Sequence, residues 1–126
     1  MTDSSAEACV AVVDDDRRVL ESLGSLLESA DYGVHLFDSA VSMLESRCLA
    51  RIACLISDID MPVMDGFELL RIVRAQRPDL PVILITGQSN KFNPPSPSDL
   101  PFRLLKKPFS ATDMLATIRD ALPTRR

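Results

Sequence analysis

Glycine is scarce in this chain. There are 4 glycines in 126 residues, where average usage gives roughly 9. None of them forms the glycine-rich loop that would wrap a phosphate in backbone amides. Cysteine is also sparse. Cys9, Cys48 and Cys54 are odd in number, lack C-x-x-C spacing and sit in apolar contexts. That argues against a disulfide framework or a zinc site and for reduced, buried thiols in a cytoplasmic protein. The lone histidine, His35, lies in the alternating stretch Val34-His35-Leu36 and reads as an outward strand residue. No apolar run approaches the roughly 20 residues of a membrane span. Residues 1–8 are small, polar and acidic, without the basic start and apolar stretch of a secretory signal, and read as a disordered tail. Basic residues are the minority, 14 Lys and Arg against 18 Asp and Glu, for a net charge of −4. Such a balance serves solubility and makes a poor electrostatic partner for nucleic acid.

Proline is in excess, with 9 residues where roughly 6 would be average. Pro94, Pro95, Pro97 and Pro101 fall in one short stretch. Elsewhere two patterns alternate. Short apolar runs at Cys9–Val13, Gly33–Phe37, Ala53–Ser57 and Val82–Thr86, with a weaker one at Phe102–Lys106, suit strands buried on both faces. Between them the apolar residues take helical spacing. Val19, Leu20, Leu23, Leu26, Leu27 and Ala30 form one stripe. Ser39 caps a second helix carrying Val41, Met43, Leu44 and Leu49. Asp65 caps a third, with Phe67, Leu69, Leu70 and Val73, which stops near Pro78. Ser110 and Asp113 form a weaker capping box ahead of Met114, Leu115, Ile118 and Leu122.

Strand–helix alternation implies right-handed crossovers and a parallel sheet with helices on both faces. Such alternation suits a doubly wound, flavodoxin-like α/β fold, whose five-stranded form has the strand order 2-1-3-4-5. The helix due between the fourth and fifth strands falls on the proline cluster, so that helix is expected to be missing or reduced to a loop. The domain is expected over 9–122, with 123–126 a tail or the start of a linker.

In such sheets ligands bind beyond the carboxyl ends of the strands, at the switch in strand order. Asp14, Asp15 and Asp16 follow the first strand, and Asp58 and Asp60 end the third. Thr86 closes the fourth, and Lys107 and Pro108 follow the fifth. Strands one and three are neighbours, so Asp14, Asp15 and Asp58 converge on one crevice. Crowded carboxylates repel, and a hard divalent cation resolves the conflict; oxygen ligands favour magnesium or calcium. Lys107 adds a positive charge and Thr86 a hydroxyl. Together they suit phosphoryl transfer, with a carboxylate as possible nucleophile. Each residue also has a plain structural reading. Asp15 or Asp16 can cap the first helix, Thr86 can cap a strand end, and Lys106 or Lys107 can be a solvated charge. The matched chemistry at four strand ends favours the site.

The chain resembles the response-regulator receiver domains of two-component signalling. The resemblance rests on Val12-Val13-Asp14-Asp15, on Asp58-Ile59-Asp60-Met61-Pro62-Val63-Met64-Asp65-Gly66, on Pro81 to Gly87, and on Lys107-Pro108-Phe109, in the family's order and spacing. The wording is similar to receivers that precede LuxR-type DNA-binding domains. The resemblance implies that Asp58 is the phosphoacceptor, served by a sensor histidine kinase. It implies that Asp15 and Asp58 ligate Mg²⁺, with Asp14 acting through water and Asp60 through its backbone carbonyl. Thr86 and Lys107 would bind the phosphoryl group, the Lys107–Pro108 bond would be cis, and Asp60 and Gln88 would tune self-dephosphorylation. Such a protein is an enzyme only toward its own phosphorylation and dephosphorylation, and a DNA-binding effector domain is an expected companion.

Two departures stand out. The aromatic residue usual three positions before the lysine is Leu104, with Phe102 two residues earlier on the same strand parity. The proline-rich stretch is the other. Both motivate a second reading, an interaction module that signals without phosphorylation. A third, a haloacid-dehalogenase-type phosphatase, would use Asp58-x-Asp60, but that class carries the pair on its first strand. A flavin mononucleotide site is disfavoured because the loop after the first strand is acidic where a phosphate needs donors.

Overall fold

The computed structural model describes residues 8–87 and 102–122. Five parallel strands form the sheet: β1 (Cys9–Val13), β2 (Gly33–Phe37), β3 (Cys54–Asp58), β4 (Val82–Thr86) and β5 (Arg103–Lys106). Their order is β2-β1-β3-β4-β5. The helices are α1 (Arg17–Ser29), α2 (Ala40–Ser46), α3 (Gly66–Gln76) and α4 (Ala111–Ala121), with a single 3-10 turn at Cys48–Ala50. The fold class and the strand order are those expected from the sequence.

The alternation of strand side chains divides the core into two layers. Val10 and Val12 of β1, Cys54 and Ile56 of β3, and Ile83 and Ile85 of β4 face α1 and α4, meeting Leu20, Leu23, Leu27, Met114 and Ile118. Ala11, Val13, Leu55, Val82 and Leu84 face the other way, onto Met43 of α2 and Leu69, Leu70 and Val73 of α3. Every residue of β3 and β4 is buried, which is why these strands read as unbroken apolar runs. The edge strand β2 exposes His35 and Leu36. The three cysteines are free; Cys48 and Cys54 are buried and Cys9 is half-buried. Burial pushes the Cys54 thiol up to about 12, so it stays protonated and inert.

Side-chain caps set the helix starts. Asp16 accepts from the Arg18 amide at 2.9 Å, Ser39 from Ser42 at 3.1 Å, and Ser110 from Asp113 at 2.9 Å. Asp65 and Glu68 form a reciprocal capping box on α3. Each satisfies an amide that the first turn leaves without a partner. The second helix is shorter than its apolar stripe suggested, and Leu49 lies in the 3-10 turn. Arg47 adopts a left-handed conformation, φ 63°. Ser46 Oγ donates to Met43 O at 2.6 Å and accepts from the Cys48 amide at 3.2 Å. This local bonding competes with continuation of the helix.

The expectation of a missing helix between β4 and β5 gains no support, because it falls on residues outside those described. The helix expected after the fifth strand is α4, at Ala111–Ala121, begun by the Ser110 cap as expected. The proline-rich connection itself, residues 88–101, lies outside the described residues, as do 1–7 and 123–126.

Arg77, just past α3, closes the opposite end of the sheet. Its Nη1 donates to Leu49 O at 2.8 Å and Ile52 O at 2.6 Å. Neighbouring Arg74 donates from Nη1 to Leu80 O. Arg77→Ala strands two carbonyls bound by a charged donor and should cost roughly 2 kcal/mol. Urea unfolding checks this, and Mg²⁺ affinity should be unchanged because the bonds lie at the other pole of the sheet.

Candidate functional site

The switch in strand order falls between β1 and β3, because the chain leaves β1 for β2 on one side and later returns to β3 on the other. Val13 and Ser57 are paired across that junction. Asp14 and Asp58, the next residues on each strand, therefore emerge side by side. Asp14 is 1% exposed and Asp58 5%, while Asp15 lies on the solvent side. Each of the three offers one carboxylate oxygen, and these oxygens lie within 4.8 Å of one another.

Asp14 is held by the chain that follows it. Its Oδ1 accepts from the Asp16 amide at 2.9 Å, and Asp16 in turn caps α1. The other oxygen, Oδ2, is buried and accepts no hydrogen bond among the described residues. Lys107 Nζ stands 3.9 Å from it and 3.7 Å from Asp58 Oδ1. Both distances exceed an ordinary hydrogen bond, so the lysine acts here as a nearby charge. Its own amide donates to Thr86 O at 2.8 Å, which ties the end of β5 to the end of β4. The Lys107–Pro108 peptide is cis.

Electrostatics record the crowding. Burial, then the negative charge of Asp14, pushes the Asp58 carboxyl up to about 7; Lys107 pulls the other way. Asp14 is also raised, chiefly by burial, against its bond from the Asp16 amide. Two buried acids beside an unpaired oxygen form an arrangement that a hard cation relieves. The residues present therefore fit a Mg²⁺ site: oxygen donors alone, more than one carboxylate, and an open side at Asp15.

Thr86 is buried, 2% exposed, at the end of β4, one residue beyond Ile85, the partner of Asp58. Asp60 is exposed, and its carboxylate is not one of the three gathered oxygens. A phosphatase pair at Asp58 and Asp60 gains no support from this arrangement. Leu104 on β5, 38% exposed, is paired with Leu84 on β4. Phe102 packs on the α3 side of the sheet. Its ring packs on Phe67 of α3 with centroids 5.7 Å apart. Gln88 lies outside the described residues. Sequence reasoning assigned no role to the Asp16 amide, and it quoted Gly66 only as part of a motif. The Asp16 amide acts through the backbone, where residue identity carries little signal.

A family model described as response regulator receiver domain matches residues 10–119. The chain belongs to the response-regulator receiver domain family. It is 35% identical to the transcriptional regulatory protein FixJ of Bradyrhizobium diazoefficiens, over 90% of this chain and 56% of that protein. It is 36% identical to the C4-dicarboxylate transport transcriptional regulatory protein DctD of Rhizobium meliloti, over 97% of this chain and 27% of that protein. Among solved structures, the response regulator StyR superposes with a TM-score of 0.83 at 34% identity, covering 92% of this chain and 59% of that one. The chemotaxis protein CheY4 of Vibrio cholerae gives 0.79 at 29% identity, covering 92% and 99%. The chain thus spans about half or less of the curated relatives it matches. A full acid, hydroxyl and lysine set in a receiver domain favours a phosphoacceptor over a module that signals by binding alone.

Proposed function

We propose that Asp58 accepts a phosphoryl group from the phosphohistidine of a sensor histidine kinase. The gathering of Asp14, Asp15 and Asp58 around Lys107 carries this reading. An Asp58 carboxylate oxygen attacks phosphorus. The phosphorus–nitrogen bond breaks, and its electron pair returns to the donor's imidazole, leaving an aspartyl phosphate. Asp15 and Asp58 would hold Mg²⁺, with the Asp60 backbone carbonyl, and Asp14 would act through water. When bound, that ion neutralises charge on the transferring phosphoryl oxygens. Lys107 supplies a second positive charge from the opposite strand, and the Thr86 hydroxyl donates to a phosphoryl oxygen. Lys107 reaches the site from a cleft of about 480 Å³ lined by Val19, Leu23, Leu26, Pro108 and Phe109.

Thr86 and Leu104 form the switch in this reading, with the smaller Leu104 where receivers usually carry an aromatic ring. The output is a DNA-binding effector domain beyond this chain, and the compartment is the cytoplasm. Incubation with a small acyl phosphate and Mg²⁺ tests the proposal. The wild type should gain one phosphoryl group by intact mass, and Asp58→Asn should gain none. Equal labelling of the two, or no labelling of the wild type, refutes it.

A further inference from the structure

We infer that Gly66 is a positioning residue for the phosphoacceptor, because its missing side chain lets the first turn of α3 lie directly against the backbone that carries Asp58. A β-carbon at position 66 would stand 2.7 Å from Asp58 O, 2.9 Å from Ile59 Cα and 3.3 Å from Asp58 C. All three are main-chain atoms of a buried central segment, so none can swing aside as a side chain would. Conformational freedom is not the reason for this glycine, since no glycine among the described residues has a positive φ. The requirement is space.

The contact belongs to a clamp. The Gly66 amide donates to Ile59 O at 3.0 Å, and the Ile59 amide donates to Ile85 O at 2.9 Å. The residue after Asp58 is thus bonded to β4 on one side and to α3 on the other. The first turn of α3 is itself fixed by the Asp65–Glu68 box, with bonds of 2.9 and 3.1 Å. An added methyl group must part α3 from the end of β3, and the Asp58 backbone moves with that end. The carboxylate then leaves its place among oxygens gathered within 4.8 Å. Supports of this kind typically change metal affinity ten- to a hundredfold when altered.

The inference rests on Asp58 being the phosphoacceptor, and the test separates the two claims. Wild type, Gly66→Ala and Val73→Ala are compared by Mg²⁺ titration calorimetry, by phosphorylation rate against acyl-phosphate concentration, and by urea unfolding. Val73 is fully buried on α3 in the same core layer, two turns from the site. Gly66→Ala should bind Mg²⁺ about tenfold more weakly or worse, with a lower phosphorylation rate at saturating donor. Val73→Ala should lose stability and keep both site properties. A wild type that does not label refutes the proposed function. A wild type that labels, with Gly66→Ala matching its Mg²⁺ affinity and rate, overturns the positioning role. Should Gly66→Ala not fold, hydrogen exchange of the wild-type Gly66 amide decides. Its protection should persist when Mg²⁺ is bound, and loss of protection on loading overturns the inference.

Discussion

Asp58→Asn should stabilise the metal-free protein, and by an amount that grows with pH. The Asp58 carboxyl is raised from its ordinary 3.8 to about 7 in the folded state, first by burial and then by Asp14. The unfolded chain releases this proton near pH 4, whereas the folded chain holds it to about 7. Between those values the native state binds more protons than the unfolded one, so stability falls as pH rises. Below about pH 4 the penalty is absent, and above about 7 it is complete. A rise of about three units corresponds to roughly 4 kcal/mol. An asparagine amide keeps the volume and removes the charge, so most of that penalty should vanish. In chelator, urea unfolding at pH 8 should show the variant more stable by about 2–4 kcal/mol, with a much smaller difference near pH 4. Mg²⁺ should stabilise the wild type and leave the variant nearly unmoved. A variant no more stable than wild type at pH 8 would mean that the acids do not crowd one another as their burial indicates.

Lys107→Met should slow phosphoryl transfer sharply without abolishing it. Lys107 is the cation 3.7 Å from Asp58 and 3.9 Å from Asp14, and methionine keeps its apolar stem without the charge. Removing one preorganised charge from a site of this kind typically costs 10²–10³ in rate. The lysine side chain is 33% exposed, and water screens part of its effect, so a loss of about ten- to a hundredfold is expected. The observable is the rate of adduct formation with a small acyl phosphate at saturating Mg²⁺. Metal-free stability should fall as well, since the pull of Lys107 lowers both acids. A phosphorylation rate equal to wild type would remove Lys107 from the transfer step.

Much of this site is legible in residue order because a parallel sheet converts order into place. Asp14 and Asp58 meet since β1 and β3 pair at Val13 and Ser57, and that pairing belongs to the 2-1-3-4-5 order of five-stranded doubly wound sheets. The caps at Ser39, Asp65 and Ser110 were readable because each sits just before a helical stripe. The end of α2 was not. Arg47 turns left-handed without a glycine, and the bonds that favour this run through Ser46, a residue equally at home inside a helix. Gly66 was visible only as a letter in a motif, because its demand for space arises from the distance between α3 and β3. Leu104 shows the opposite limit: its departure from the family pattern was plain, yet its exposure on β5 depends on what packs around it. Arg77 gave no periodic signal, since its partners are carbonyls 25 and 28 residues back along the chain.

Chemical trapping of the phosphorylated protein tests the central claim most directly. Borohydride reduces an acyl phosphate to an alcohol, turning a phosphorylated aspartate into homoserine. After loading with acyl phosphate and Mg²⁺, reduction and peptide mass spectrometry, homoserine should appear at position 58 alone, and only when Mg²⁺ was present. Homoserine at Asp14, Asp15 or Asp60, or none at all, would contradict the assignment of Asp58 as the phosphoacceptor.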